Sequence, residues 1–316
     1  MDVLLLGMRA VAEPTRLRLL VLCAHAELTV TELTQILGQS QPRVSRHLKL
    51  LVEAGLLDRF REGTWAFYRM SERHACATLG RMIVDLIPDG DKTLSLDLVR
   101  LEAVKTARAE QAAAYFRLNA ARWNEIRQYY VDEVEVEKAM MALLPVGEVG
   151  ELLDIGTGTG RMLEVYGAAA TRAVGIDTSR DMLAVARVNL ERAGLHKCQV
   201  RLGDMYQLPV SSASFDTVTV HQVLHYAAAP GDVIAEAARA LRPGGRLIVV
   251  DFAPHREEQL RVDHKHRRLG FSDDELASWL ERADLVPELA THLRGAPLTV
   301  CVWPARRPAS TPATPQ

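Results

Sequence analysis

Apolar residues in the first third of the chain recur at three- and four-residue intervals. Leu17, Leu19, Leu20, Leu22 and Leu28 mark one stripe and Val30, Leu33, Ile36 and Leu37 another, a spacing that predicts short amphipathic helices. Gly38-Gln39-Ser40 breaks the pattern before a third stripe, Val44, Leu48, Leu51 and Val52, in a helix predicted over 41–54 and stopped by Gly55. The period then changes. Residues 56–60 and 65–70 are strand-like runs around Arg61-Glu62-Gly63-Thr64, a hairpin signal. Three helices and a hairpin predict an α+β winged helix-turn-helix, flanked by further helices over 3–12 and 73–87, the latter stopped at Pro88-Asp89-Gly90.

From about 95 to 144 the chain is rich in Ala, Glu and Arg with few breakers, which predicts one or two long connecting helices. Beyond Pro145 the texture is α/β. Short apolar runs at 152–155, 173–176, 200–202, 217–220 and 247–250 alternate with helical stretches, which implies a mostly parallel sheet covered on both faces. The expected organisation is a DNA-binding and dimerisation domain at 1–90, a helical linker and cap at 91–144, an α/β domain at 145–303, and a Pro-, Ala- and Thr-rich disordered tail at 304–316.

The 316 residues suffice for two cores. Cys23, Cys76, Cys198 and Cys301 are scattered without a CxxC pair, so neither a disulfide framework nor a zinc knuckle is suggested. Asp2, Arg9, Glu13, Arg16 and Arg18 interrupt the first twenty residues, and no long apolar run follows; a soluble, cytoplasmic protein with no membrane partner is expected. The formal net charge of -2 argues against nucleic acid only if it is evenly spread. It is not. Arg43, Arg46, Lys49, Arg59, Arg61 and Arg69 face only Glu53, Asp58 and Glu62 in the window 41–69, a local basic surface that can bind DNA.

Two stretches carry candidate chemistry. In Asp154-Ile-Gly-Thr-Gly-Thr-Gly160 a strand runs directly into glycines at 156, 158 and 160, where the backbone must turn sharply and approach a ligand closely. The GxGxG spacing differs from the GxGxxG of pyrophosphate-binding folds. Asp177 and Asp204 end the next two predicted strands, placed to accept from ribose hydroxyls and from an adenine amino group, with Met205 against the ring. His221, Gln222, His225 and Tyr226 follow the fourth strand; His225 is the preferred base, with a hydrogen bond to a backbone carbonyl that closes the site as its alternative role, and His221 and Tyr226 are further catalytic candidates. His255, His264, His266, Arg267 and Arg268 could cap the pocket or bind an anionic acceptor. No metal site is expected, since the alternating histidines lack acidic or thiolate partners.

The motifs LLDIGTGTGR, GIDTS, GDMYQLP, SFDTVTVHQVLHY and ALRPGGRLIVVDF, between about 122 and 303, resemble those of class I S-adenosylmethionine-dependent methyltransferases, closest in texture to small-molecule enzymes of the quinone-biosynthesis type. The resemblance implies a Rossmann-like domain with a mostly parallel seven-stranded sheet. It also implies S-adenosylmethionine as cofactor, with Asp154, Gly156, Gly158 and Gly160 around the methionine moiety, Asp177 at ribose, Asp204 and Met205 at adenine, and Met182 and His221 completing the contacts. A small-molecule methyl acceptor follows. Tyr129 and Tyr130 could cover the cofactor or simply pack.

The third helix and its hairpin offer Ser40, Gln41, Arg43, Ser45, Arg46, His47, Lys49, Arg59, Arg61 and Trp65 to a duplex, a set suited to base edges and phosphates, although a solvated helix face is also charged. The stretch from Leu33 to Leu56, LTQILGQSQPRVSRHLKLLVEAGL, resembles the ArsR/SmtB family of winged-helix regulators over residues 4–87. That resemblance implies a homodimer formed by the terminal helices and a palindromic double-stranded operator. Where metal-sensing members carry a cysteine pair this chain has Leu28-Thr-Val-Thr-Glu32, which puts thiolate metal sensing in doubt; Asp85 and His74 alone do not establish the family's other metal position. Two readings remain open: a repressor fused to a working methyltransferase, and a sensor whose methyltransferase fold binds the cofactor or its demethylated product without turnover. In either, ligand binding is expected to reach the operator through the helices between about 95 and 144.

Overall fold

The computed structural model describes residues 1–62, 65–71, 76–88, 90–107, 110, 132–144, 147–264 and 266–309, apart from the side chains of 61, 62, 65, 263 and 264. The expectations for His74, for Tyr129 and Tyr130, for the side chains of Arg61, Trp65 and His264, for most of the stretch 108–131 and for the tail from 310 lie outside the described residues. The chain divides into two units, 1–111 and 112–316.

The first unit holds α1 (Asp2–Val11), α2 (Pro14–His25), β1 (Leu28–Thr29), α3 (Val30–Leu37), α4 (Gln41–Glu53), β2 (Leu57–Glu62), β3 (Trp65–Met70), α5 (Ala77–Asp85) and α6 (92–107). Local signals set these limits. Thr29 and Glu32 form a reciprocal capping box on α3, and Gly38 closes that helix in the left-handed conformation at φ 65°. Pro42 lies in the first turn of α4, and Gly55 at φ 68° turns the chain into β2. The hairpin pairs Glu62 with Trp65, and β1 adds on the far side of β3 to give the order β1-β3-β2. Leu19, Leu20, Leu22, Leu33, Ile36, Val44, Leu48, Leu51 and Leu56 are fully buried in one core.

Helix α6 belongs to that core, which moves the expected boundary at residue 91. Leu101 and Val104 are buried in it, and Asp97, 1% exposed, accepts from Arg18 Nε and Nη2 at 2.5 and 2.7 Å. Arg100 Nη1 donates to the carbonyl of Ile36 at 2.9 Å, near the end of α3. An apolar face and a buried charge with a partner on α2 make this helix part of the domain it follows.

The second unit begins with α7 (Glu133–Leu143), whose Val136 and Met140 are buried against Leu152 and Met162, so the far end of the expected linker packs here. There follow β4 (Glu151–Ile155), α8 (Arg161–Gly167), β5 (Arg172–Asp177), α9 (Arg180–Arg192), β6 (Cys198–Leu202), β7 (Phe215–His221), a 3-10 turn (Leu224–Tyr226), α10 (Pro230–Ala240), β8 (Leu241–Phe252), α11 (Gln259–His264), α12 (Asp273–Arg282), β9 (Val286–Pro287), β10 (Thr291–Arg294) and β11 (Thr299–Arg306). Seven strands run in the order β10-β11-β8-β7-β4-β5-β6, and the two-residue β9 pairs with β11 as an eighth. Strands β4 to β8 are mutually parallel and β11 is antiparallel to β8. Leu153, Ile155, Val174, Ile176, Val218 and Val220 enter one core, while Leu152, Ala173, Val200, Ile248 and Val250 enter the other, the alternation a sheet covered on both faces requires.

The tail expected to be disordered from Pro304 instead continues β11 to Arg306. Ala305 is fully buried, and the carbonyl of Pro304 accepts from Glu288 N–H at 2.9 Å, so burial outweighs a disorder-prone composition. Among the described residues no helix is long and apolar enough to cross a membrane.

Candidate cofactor site and nucleic-acid interface

Strand order reverses between β4 and β7: β5 and β6 continue on one side, β7 and β8 on the other. In an open parallel sheet the crevice at such a point, outside the carboxyl ends of the strands, receives ligands. Residues 156–160 occupy it. Gly156, Gly158 and Gly160 have φ of 72°, 53° and 84°, where side chains are strained. A Cβ on Gly156 would stand 2.4 Å from Val223 Cγ2, so this glycine lets the turn after β7 close on the loop. A Cβ on Gly158 would meet nothing within 4 Å: here the backbone faces open space.

The acids follow in strand order. Asp177, last in β5, accepts the N–H of Gly158 on one oxygen at 2.9 Å and that of Ser179 on the other at 2.8 Å, tying the glycine loop to the start of α9. Its half-exposed carboxylate keeps lone pairs for a diol. Asp204, two residues past β6, is exposed and accepts from Tyr206 N–H, while Met205 is half-buried against the core. Met182 sits half-buried in the first turn of α9, its N–H on the Ser179 hydroxyl. Asp154 differs from the other two. It is 2% exposed and accepts the Thr219 hydroxyl at 2.7 Å; burial pushes its pKa up to about 6, against the opposing pull of that hydrogen bond. It supports the loop from within the sheet. Open backbone at Gly158 above a diol-accepting carboxylate, with a further acid and a thioether beyond, fits an adenosyl group.

His221 ends β7, and Gln222 follows at φ 50°, a left-handed turn that sends the chain across the crevice. Though partly accessible, His221 is crowded by protein, and desolvation lowers its pKa to about 4, which favours the neutral imidazole. Tyr226 is 39% exposed; His225 is buried and its Nδ1 takes the carboxylate of Asp251 as partner, not the backbone carbonyl of its alternative role. Of the second cluster, His266 stacks on His225 at 3.9 Å. Arg268 is engaged by Glu275 and lies over the rings of Phe271 and Trp279. Thr219 and Asp251 were missed in the sequence, although Asp251 is next to last in β8 as Asp154 is in β4, and could have been found by that rule.

In the first unit Ser40, Gln41, Arg43, Arg46 and Lys49 are exposed along α4, Ser45 is half-buried beside them, and Arg59 is exposed on β2. The Ser40 hydroxyl makes no capping bond. A 780 Å³ cleft whose walls include Gln41, Ser45, Lys49, Arg59 and Tyr68 separates the helix from the hairpin. Two basic positions leave the expected surface. His47 turns towards Glu13 at 3.5 Å, and Arg69 is buried between Glu27 at 3.1 Å and Asp58 at 3.5 Å.

Replacing Gly158 with Ala separates ligand contact from folding. The strain of a left-handed alanine is about 1–2 kcal/mol, and the new methyl group enters the open space above the loop. S-adenosylhomocysteine affinity by calorimetry is expected to fall about tenfold or more while the melting transition stays cooperative; unchanged affinity would remove the loop from the site.

Residues 153–249 match the family model described as a methyltransferase domain, and residues 13–59 that of bacterial regulatory proteins of the arsR family. The malonyl-[acyl-carrier protein] O-methyltransferase of Marinomonas sp. is 29% identical over 143 residues, which are 43% of this chain and 52% of that protein. The ubiquinone/menaquinone biosynthesis C-methyltransferase of Dinoroseobacter shibae is 36% identical over 118 residues, 36% of this chain and 47% of that one. The chain spans between about a quarter and a half of the length of the first curated relatives it matches. A crystal structure of a candidate methyltransferase from Bacillus halodurans superposes with a TM-score of 0.50 at 20% identity, covering 55% of this chain and 99% of that one. At that identity the likeness speaks for the fold alone, that of a class I methyltransferase.

Proposed function

From a chain that carries an arsR-family helix-turn-helix segment and a methyltransferase domain, we propose a dimeric transcriptional repressor whose second unit binds S-adenosylmethionine and methylates a small molecule. The observation that carries the cofactor reading is the open backbone at Gly158 tied to Asp177. Asp177 would hold the ribose, Asp204 and Met205 the adenine, and the 156–160 loop the methionine moiety; the bound donor supplies an electrophilic methyl group. Met182 and His221 would line the same crevice. The expected glycines and acids are all present, as a working enzyme requires, and a sensor would keep the same set. Calorimetry with the cofactor, followed by a screen for released S-adenosylhomocysteine, decides: binding without release under any acceptor leaves the sensor.

For DNA, Lys49 and Arg59 line the cleft between α4 and the hairpin and Arg43 and Arg46 are exposed on the same helix, a surface on which phosphates and base edges would lie. Dimerisation is supported by α1, which exposes Val3, Leu4, Leu5, Leu6 and Met8. Arg46→Ala is expected to weaken operator binding by about 1–3 kcal/mol at fixed salt, read by fluorescence anisotropy; unaltered affinity would move the contact to another residue.

A further inference from the structure

At the carboxyl ends of the same parallel strands lies a buried histidine–carboxylate pair. Asp251, next to last in β8, is 0% exposed, and His225, in the turn after β7, is 1% exposed. The carboxylate accepts His225 Nδ1 at 2.9 Å on one oxygen and 3.2 Å on the other, together with the backbone N–H groups of His225 at 3.1 Å and Phe252 at 2.8 Å. Facing oxygens that only accept, Nδ1 carries the ring proton, and Nε2 presents a lone pair. That Nε2 is buried without a hydrogen-bond partner among the described residues. Leaving it so costs about 1–3 kcal/mol, a loss that packing alone would avoid with an apolar ring.

The imidazole is also held still. The carbonyl of His225 accepts the N–H groups of Arg267 and Arg268 at 3.0 and 3.1 Å, and the ring lies against His266, Tyr226 and Phe252 with centroids 3.9, 4.2 and 5.4 Å away. Two residues earlier, Val223 packs on Gly156 of the glycine loop. A tautomer set by a carboxylate, an idle lone pair and a fixed ring beside the ligand crevice are the parts of a general base.

We infer that His225 Nε2 takes the hydroxyl proton of a phenol-class acceptor, and that Asp251 positions and charge-balances the imidazole. This rests on the reading of the second unit as a methyl-transfer domain. A carboxylate acceptor needs no base; a phenol, near pKa 10 as in tyrosine, gives its proton to imidazole far more readily than an aliphatic hydroxyl does. The aromatic neighbours suit a flat ring, and Tyr226, 39% exposed, is the side from which an acceptor would have to reach the buried Nε2. In the step, the hydroxyl proton moves to Nε2 and the oxygen pair forms the new C–O bond to the methyl carbon. The C–S bond of the sulfonium donor breaks with its electron pair on sulfur, and the imidazolium later returns its proton to water.

The test uses the full chain saturated with S-adenosylhomocysteine, so that no turnover occurs, and 4-nitrophenol as probe, whose phenolate absorbs in the visible. Below the probe's own ionisation range the bound form is expected to show the phenolate band; His225→Gln and Asp251→Asn are expected to bind S-adenosylhomocysteine normally and lose the band. With S-adenosylmethionine and less acidic phenols, His225→Gln should lose about 10²- to 10⁴-fold in kcat, and far less with nitrophenols ionised beforehand. A uniform loss across the phenols, or no band in the unaltered protein, overturns the base; the second outcome applies even if neither variant folds. Turnover confined to amines or carboxylates overturns this inference and leaves the methyl-transfer reading standing, whereas failure to bind S-adenosylhomocysteine removes that reading as well.

Discussion

Asp177→Ala is expected to lose S-adenosylhomocysteine affinity by about 10²- to 10⁴-fold, while the protein stays folded. The magnitude follows from two hydrogen bonds from a diol to a carboxylate, each worth about 1.5–3 kcal/mol. The side chain is half-exposed, so its removal leaves no large cavity, but it also frees the N–H groups of Gly158 and Ser179 that it now holds. Loosening of the glycine loop therefore adds to the direct loss. Asp177→Asn keeps one accepting oxygen and should fall between the two. Calorimetry reads the affinity and a melting curve checks the fold; near-normal affinity in the alanine variant would sink the ribose assignment.

The second large effect belongs to the first unit. Asp97→Ala should destabilise it by roughly 3–5 kcal/mol, because removing one member of a buried pair strands the other. Asp97 is 1% exposed and holds Arg18 through two contacts, with Arg100 a further 4.0 Å neighbour. Leu96→Ala, a truncation of a half-exposed residue on the same helix, serves as the control and should cost far less. Denaturant unfolding of the full chain, followed by a probe in the first unit, measures both. A loss within about 0.5 kcal/mol, typical of surface substitutions, would mean that α6 is not part of that core.

The glycine loop and the acids at 177 and 204 were legible because a strand, its following loop and the next helix are neighbours in sequence as well as in space. The helix of residues 41–53 was legible because Gly38, Pro42 and Gly55 punctuate it locally. Arg69 illustrates the opposite. By sequence it adds to a basic window, yet its partners are Glu27 and Asp58, and only the pairing of β3 with β1 and β2 brings the first of these within 3.1 Å. Likewise Asp154 belongs to a series of three strand-end acids by spacing, but the side-by-side placement of β4 and β7 gives it Thr219 and buries it.

Residue order alone determined the two chemistries in this chain, an arsR-type helix-turn-helix and a glycine loop with strand-end acids, because each is written in a continuous segment whose backbone geometry is set by its own glycines, prolines and caps. Only the tertiary structure decided which charged groups remain available. It withdrew Arg69 and His47 from the proposed DNA face, attached α6 to the first core through Asp97, extended β11 past Pro304, and joined His225 to Asp251, 26 positions away. Burial and partner choice depend on what long-range packing brings together, and a charge placed within reach of an opposite one in a dry core is drawn to it whatever its neighbours in the chain.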